Sequence, residues 1–256
     1  MQSQAQNALL ARFATGGLPV SELQAEDRRS RRPKLVYKND GNPFLLDLLP
    51  QPPGVALDCG CGAGDNARIL CDRGWRVHGV TWNALERDLA SRYCAEVSLF
   101  DLNNGLPENV KRSASKFDVV VLSHILEHLV DPSVLLLEVR NVLSPHGVIA
   151  VALPNVVSWP NRLRILVGRF DYQPSGIMDE SHLHFYTFAS GGRLLRDSGY
   201  EIVRAKAEGG FPLWRIRALL PARWVEALNA TSCRLFPGFF GGQSVYIARP
   251  AAPLVG

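Results

Sequence analysis

The sequence predicts an α/β protein: a doubly wound, largely parallel sheet covered by helices on both faces, three layers α/β/α. Two observations carry this. Short apolar runs alternate with helical patterns from Gly54 onward, and the runs are apolar nearly throughout, as strands buried on both faces are. A chain of 256 residues, 46% hydrophobic and 20% charged, is long enough to bury the core that such a sheet needs.

The elements follow in order. "NDGNPFLLDLLP" has a capping start and the apolar spacing of a short helix, and "PQPPG" punctuates before the first buried run. "VALDC" reads as a strand, "NARILCDRG" as a helix stopped by Gly74, "RVHGVT" as a strand and "ALERDLASRYC" as a helix. "EVSLFDL", "FDVVVLS" and "GVIAVALPN" are further strands, with "PSVLLLEVRNVLS" a helix ending at Pro145. Residues 158–187 form a long connection rich in aromatic and polar residues, expected to be a functional lid. After it come a helix, "FASGGRLLRDSG", a strand, "YEIVRAKA", an insertion over 211–240, and a last strand, "QSVYIAR". Residues 1–33, with the charge run "AEDRRSRRPK", are expected to be a flexible arm, and 34–256 a single domain.

Composition narrows the function. The net charge of +4 is spread without a lysine-rich block, which argues against a nucleic-acid partner. Five cysteines, an odd number without disulfide-scaffold spacing, suit a reducing cytoplasm. No stretch has the length of a signal peptide's apolar region or a membrane span.

"DCGCGAGD" is the most informative stretch. Gly60, Gly62 and Gly64 follow the first strand, where an open parallel sheet has its ligand crevice. Glycine there lets the backbone take conformations closed to other residues and lets a ligand approach closely. The dinucleotide pattern G-x-G-x-x-G, counted from Gly60, would need glycine where Asp65 stands, so a pyrophosphate ligand is disfavoured. Cys59 and Cys61 are expected to be small, half-buried residues; zinc would require two more ligands, so no metal is expected.

The glycine loop, Asp58 before it, Asp101 in "FDLNNGLP" and the stretch "FDVVVLSHILEHLVDP" together resemble the class I S-adenosylmethionine-dependent methyltransferases, over roughly residues 45–205 and the closing strand. The resemblance implies a Rossmann-like seven-stranded sheet with an antiparallel last strand, and S-adenosylmethionine as cofactor. It places Gly60, Cys61 and Gly62 against the methionine part and gives Asp58 the task of orienting the loop and the cofactor's ammonium. Asp101 would take the adenine amino group, Leu102 would line the adenine slot, and Ser123 and His124 would flank the sulfonium. The acidic residue that this family usually places on the ribose is replaced by Thr81 in "GVTWNALE". Thr81 and Asn83 would share the ribose, with Trp82 against the adenine, or Trp82 would be a core aromatic and Glu86 a solvated helix residue. On the ribose reading, Thr81→Asp should be tolerated.

"LPNVVSWPNRLRILVGRFDY" with "DESHLHFYTF" is similar to methyltransferases of bacterial surface-polysaccharide clusters and methionine-biosynthesis accessory proteins, and more distantly to ubiquinone O-methyltransferases. This implies methyl transfer, with oxygen the expected atom, to a small-molecule or glycan acceptor, lipid-linked glycans included. The alternative is a non-catalytic accessory protein that binds the cofactor and a partner enzyme. A hydroxyl acceptor needs a base. The candidates are His124, His128, His182 and His184, with His128 expected to be structural and His182 the favoured base. In an extended lid His182 and His184 would share a face and could bind a metal ion. Trp214, Arg215, Arg217, Arg223 and Trp224 in the insertion mix aromatics with cations, either as a membrane-surface contact or as a helix on the sheet edge with its arginines in water.

Overall fold

Seven strands form one sheet in the order β3-β2-β1-β4-β5-β7-β6 in the computed structural model, which describes residues 40–114, 116–212 and 220–251. The strands are β1 (Val55–Cys59), β2 (Arg76–Thr81), β3 (Glu96–Leu99), β4 (Phe117–Ser123), β5 (Leu143–Pro154), β6 (Tyr200–Gly209) and β7 (Gly241–Pro250). β1 pairs in parallel with both β2 and β4, so the chain reverses direction across the sheet at that point. β7 is the antiparallel strand, inserted between β5 and β6 with Val151 opposite Tyr246 and Ala205 opposite Tyr246 on its other edge.

Alternate residues of each central strand feed opposite faces. Val120, Leu122, Ile149 and Val151 pack with Leu135, Leu136 and Val139 of α5 (Pro132–Val142) and Leu195 of α7 (Phe188–Asp197). Val119, Val121, Ala150 and Ile247 pack with Leu45 and Leu46 of α1 (Pro43–Leu46) and Ala67 and Leu70 of α2 (Asp65–Asp72). The three predicted layers are therefore present.

Local sequence explains the helix limits. Asn42 caps α1, accepting from the Leu45 amide (3.1 Å) with Pro43 at the first helical position; α2 stops before Gly74, whose φ is 86°. Asp131 caps α5 with Pro132 behind it, and Thr187 and Ser190 form a reciprocal box on α7. Helix α5 ends at Val142 rather than Pro145. The proline disfavours helical geometry at Ser144, and Leu143 is already extended (φ −68°, ψ 144°). α3 (Ala84–Ala90) and the short α4 (Glu108–Lys111) flank β3.

The 158–187 connection is not extended throughout: it opens with α6 (Trp159–Leu166) before turns that run to Thr187. The insertion forms α8 (Ala222–Leu235) and α9 (Pro237–Phe240), with α8 against the edge strand β6. The predicted arm, the predicted domain start at Lys34, and Trp214, Arg215 and Arg217 lie outside the described residues. Among those described, no helix is long and apolar enough to cross a membrane.

Candidate active site

The carboxyl ends of β1 and β4 are neighbours, and their loops touch. Gly60, Gly62 and Gly64 have φ of 78°, 52° and 91°, a run of left-handed conformations that explains the alternating glycines. A Cβ at Gly60 would come within 2.9 Å of Ile125 Cδ1, so the glycine loop packs directly on the loop after β4.

Asp58 is 1% exposed, and neither carboxylate oxygen has an aligned hydrogen bond among the described residues. Burial pushes its pKa up to about 7, against a smaller opposing effect of the nearby Asn66 amide. A carboxylate whose burial is offset only in part by Asn66, at the foot of the glycine loop, fits the predicted cofactor's ammonium.

The ribose region differs from expectation. Thr81 is buried and donates to Glu86 Oε2 (2.8 Å), and Glu86 is itself buried rather than a solvated helix residue. The acid missing from position 81 thus stands one helical turn away, behind the threonine, and the Thr81 hydroxyl proton is already used. Asn83 caps α3 through Oδ1, which accepts from the Leu85 amide (2.9 Å). Trp82 is 60% exposed, which rules out the core-aromatic reading. Asp101 accepts from both the amide and Nδ2 of Asn103 (3.0 Å each), and Leu102 is buried beneath it.

The cysteines are not half-buried. Both are buried, with Cys61 Sγ turned away from the crevice toward Cys94, where a Cβ on Gly79 would meet both sulfurs. That contact, then burial, raises the Cys61 thiol pKa. Cys61 therefore contributes its backbone to the loop, and neither Cys59 nor Cys61 belongs to a metal-ligand group among the described residues.

The loop after β4 carries a polar network. His124 has φ 54°, a left-handed conformation rare outside glycine. Its Nε2 lies 3.0 Å from Gln243 Oε1 and its Nδ1 3.3 Å from Glu127 Oε1. Burial opposes its charged form, but Glu127, Gln243 and Glu208 outweigh this and raise its pKa. Asn42 Nδ2 joins Ser123 Oγ (3.4 Å) and Gln243 Oε1 (2.9 Å), and Gln243 donates on to Glu208.

His182 is 8% exposed, so it is not an open lid residue. Its Nδ1 is 3.1 Å from the Ile177 carbonyl and its Nε2 4.0 Å from Glu127 Oε1. Burial, then the charge of His128, lowers its pKa, which keeps the ring neutral. It does not share a face with His184. The His182 ring meets His128 (centroids 4.7 Å) and Phe185, whereas His184 meets Tyr186 and places Nε2 3.2 Å from the Val130 carbonyl. The amides of Leu183 and His184 both donate to the Glu127 carbonyl (2.8 and 3.2 Å), pinning the end of the lid to the β4 loop.

Sequence reading passed over Glu127 although "LEHLVDP" was in view. It is fully buried, and Glu127, His128 and His182 each present one ligand atom within 4.8 Å of the others. Three side chains of metal-ligating type thus come together, with His128 and Glu127 beside His182 in place of His184. Beside them, Phe170, Tyr172 and Phe185 form a ring cluster with centroids 5.8–6.1 Å apart. A cavity of about 170 Å³ shares Phe170 with this cluster and is lined also by Asn161, Arg164, Arg169, Asp171 and Met178.

A family model described as "Methyltransferase domain" matches residues 29–205. The chain belongs to this methyltransferase-domain family. A ubiquinone biosynthesis O-methyltransferase of Actinobacillus pleuropneumoniae is 29% identical over 119 residues, 42% of this chain and 51% of that protein. The chain spans about half the length of the curated relatives it matches. In fold it is similar to an S-adenosylmethionine-dependent methyltransferase from Archaeoglobus fulgidus (TM-score 0.56, 19% identity, 81% of this chain and 90% of that one). A second such enzyme, from Mesorhizobium loti, gives a TM-score of 0.54 at 20% identity, covering 81% and 96%.

Proposed function

We propose that this protein transfers the methyl group of S-adenosylmethionine to a hydroxyl of a small-molecule acceptor. The single observation that carries the reading is the meeting of buried Glu127 and His182 with half-buried His128 after β4, one loop away from the left-handed glycines and the buried Asp58. When bound, the cofactor supplies an electrophilic methyl group already activated by its sulfonium. The chain's tasks are then to hold the cofactor, align the acceptor, exclude water and take up a proton.

Asp58 and the glycine loop hold the amino-acid end, Asn83 and Trp82 the nucleoside, and Asp101 and Leu102 the base, with Ser123 and His124 at the reacting centre. Proton uptake is what distinguishes the acceptor atom: an amine acts in its neutral form, whereas a hydroxyl must be deprotonated. Proton removal is proposed to depend on His182, whose Nδ1 faces a carbonyl so that its Nε2 keeps a lone pair, free to take the proton or to bind a cation. The cavity beside Phe170, with Arg164, Arg169 and Asp171 on its wall, suits a ring-bearing acceptor with polar substituents, such as a uronate or a phenolic acid.

The test is methyl transfer from labelled S-adenosylmethionine to a panel of phenolic acids, uronates and their amine counterparts. Turnover on hydroxyl acceptors that falls about 10²- to 10⁴-fold in His182→Gln, with cofactor affinity unchanged, supports the reading. Turnover on amines alone, or cofactor binding without turnover on any acceptor, rejects it, the latter in favour of an accessory role.

A further inference from the structure

We propose that Glu127, His128 and His182 form a binding site for a divalent transition-metal ion. The existence of the site stands on the geometry alone; its role in activating the acceptor rests on the hydroxyl-methylation reading above.

The first argument is the orientation of the two imidazoles. His182 Nδ1 lies 3.1 Å from the Ile177 carbonyl, and a carbonyl only accepts, so Nδ1 carries the proton and Nε2 a lone pair. The same holds for His128. The Ser181 hydroxyl donates to Asp179 Oδ1 (2.5 Å), so its Oγ, 3.0 Å from His128 Nδ1, accepts from that ring; the Ser181 carbonyl, 3.3 Å away, accepts as well. Both rings are thus fixed with Nε2 bare, and fixing the tautomer through the far nitrogen is how proteins prepare histidine ligands.

The second argument is what those lone pairs face. Glu127 is fully buried, and neither of its oxygens has an aligned hydrogen bond among the described residues. His182 Nε2 looks at Glu127 Oε1 across 4.0 Å, too far for a hydrogen bond and lone pair against lone pair. A cation between the groups would satisfy both lone pairs at once. His124 Nδ1 lies 3.3 Å from the same oxygen and shares its charge.

The third argument is the donor set. Two neutral imidazoles and one carboxylate suit zinc, iron(II), cobalt or manganese better than magnesium or calcium, and leave coordination positions open. Ligand atoms within 4.8 Å of one another need shifts of about 1 Å, shared by three side chains, to reach the roughly 3 Å between neighbouring ligands at metal bonds of ~2.1 Å. An acceptor hydroxyl in an open position would lose its proton to solvent water more readily. Its oxygen then bonds to the methyl carbon while the carbon–sulfur electron pair stays on sulfur, releasing a neutral thioether. In this arrangement His182 acts as ligand rather than as free base.

The experiment is titration of the chelator-treated full chain with Co²⁺ alone, followed by visible absorption and calorimetry, with S-adenosylhomocysteine titrated in parallel. The expected result is one Co²⁺ per chain, displaced by Zn²⁺, with affinity reduced at least 100-fold in Glu127→Gln and His128→Gln. Asp179→Asn, which loosens the Ser181–His128 hydrogen bond, is expected to lose 10- to 100-fold. His184→Gln, outside the ligand group, leaves Co²⁺ affinity unchanged. A wild-type chain that binds S-adenosylhomocysteine but takes up none of Co²⁺, Zn²⁺ or Mn²⁺ overturns the site and spares the methyltransferase reading. Full Co²⁺ affinity in Glu127→Gln and His128→Gln, with circular dichroism showing both folded, overturns it equally.

Discussion

Asp58 shows how a single buried charge links stability to ligand binding. Its folded pKa of about 7 lies above the ordinary 3.8, so the protonated form favours the fold. That contribution is complete below pH about 4 and is lost as pH rises through about 7, a difference on the order of 4 kcal/mol at full ionisation. Ligand-free Asp58→Asn, which cannot ionise, should therefore melt above the wild type at pH 8 and close to it at pH 4, as differential scanning calorimetry would show. A cofactor ammonium reverses the preference by favouring the carboxylate. Wild-type affinity for S-adenosylhomocysteine should fall as pH drops below about 7, with proton release on binding, and Asp58→Asn should bind weakly at every pH; a pH-independent affinity would remove Asp58 from the site. At the ribose position, Thr81→Asp would set a second carboxylate against buried Glu86, so the sequence-based expectation of tolerance is reversed. Affinity should fall at least tenfold, with Glu86→Gln in the same chain restoring part of it. Trp82→Ala should weaken cofactor binding by about 1 kcal/mol if the exposed indole stacks on adenine, and should abolish any fluorescence quenching on binding.

Individual elements are joined at a few buried points. Tyr200, at the start of β6, is 2% exposed and donates to the Leu136 carbonyl of α5 (2.7 Å). Tyr200→Phe leaves that carbonyl's partner absent and should cost about 1–2 kcal/mol in denaturant unfolding, with the slope against denaturant unchanged. The lid was legible as a long connection between recognisable strands, and its function-bearing motif could be quoted from sequence. Its internal arrangement was not legible, because α6 and the anchoring of Leu183 and His184 on the Glu127 carbonyl are contacts across some 55 residues of chain. Hydrogen exchange should find the Leu183 and His184 amides slower than those of exposed residues 170–172.

At the scale of the molecule, the crevice is assembled from the ends of β1, β4 and β7 and from Asn42, ahead of the sheet. No one of these holds a ligand alone, so binding should report on the whole fold. Saturation with S-adenosylhomocysteine at 100 times its dissociation constant should raise the unfolding free energy by about 2.7 kcal/mol, and Gly60→Ala should reduce both this gain and basal stability. The latter follows from φ of 78° and a Cβ within 2.9 Å of Ile125.

What the sequence by itself determined is whatever repeats or stays local. Apolar runs alternating with helical patterns specified the sheet and its layers, and Gly74 marked a helix end through its own backbone chemistry. The glycines of the loop were legible for the same reason, since left-handed backbone is a property of the residue. Tertiary structure decided which polar side chains meet. Glu86 looked like a solvated helix residue until burial set it behind Thr81; His182 looked like the neighbour of His184 until the lid's turns sent the rings apart. Glu127 carried no signal as one glutamate in a short motif, and its importance comes from being buried without an aligned hydrogen bond beside two imidazoles from distant parts of the chain. Burial and partnership belong to the folded chain, so the pairing of a charge with its neighbours cannot be read from the residue alone.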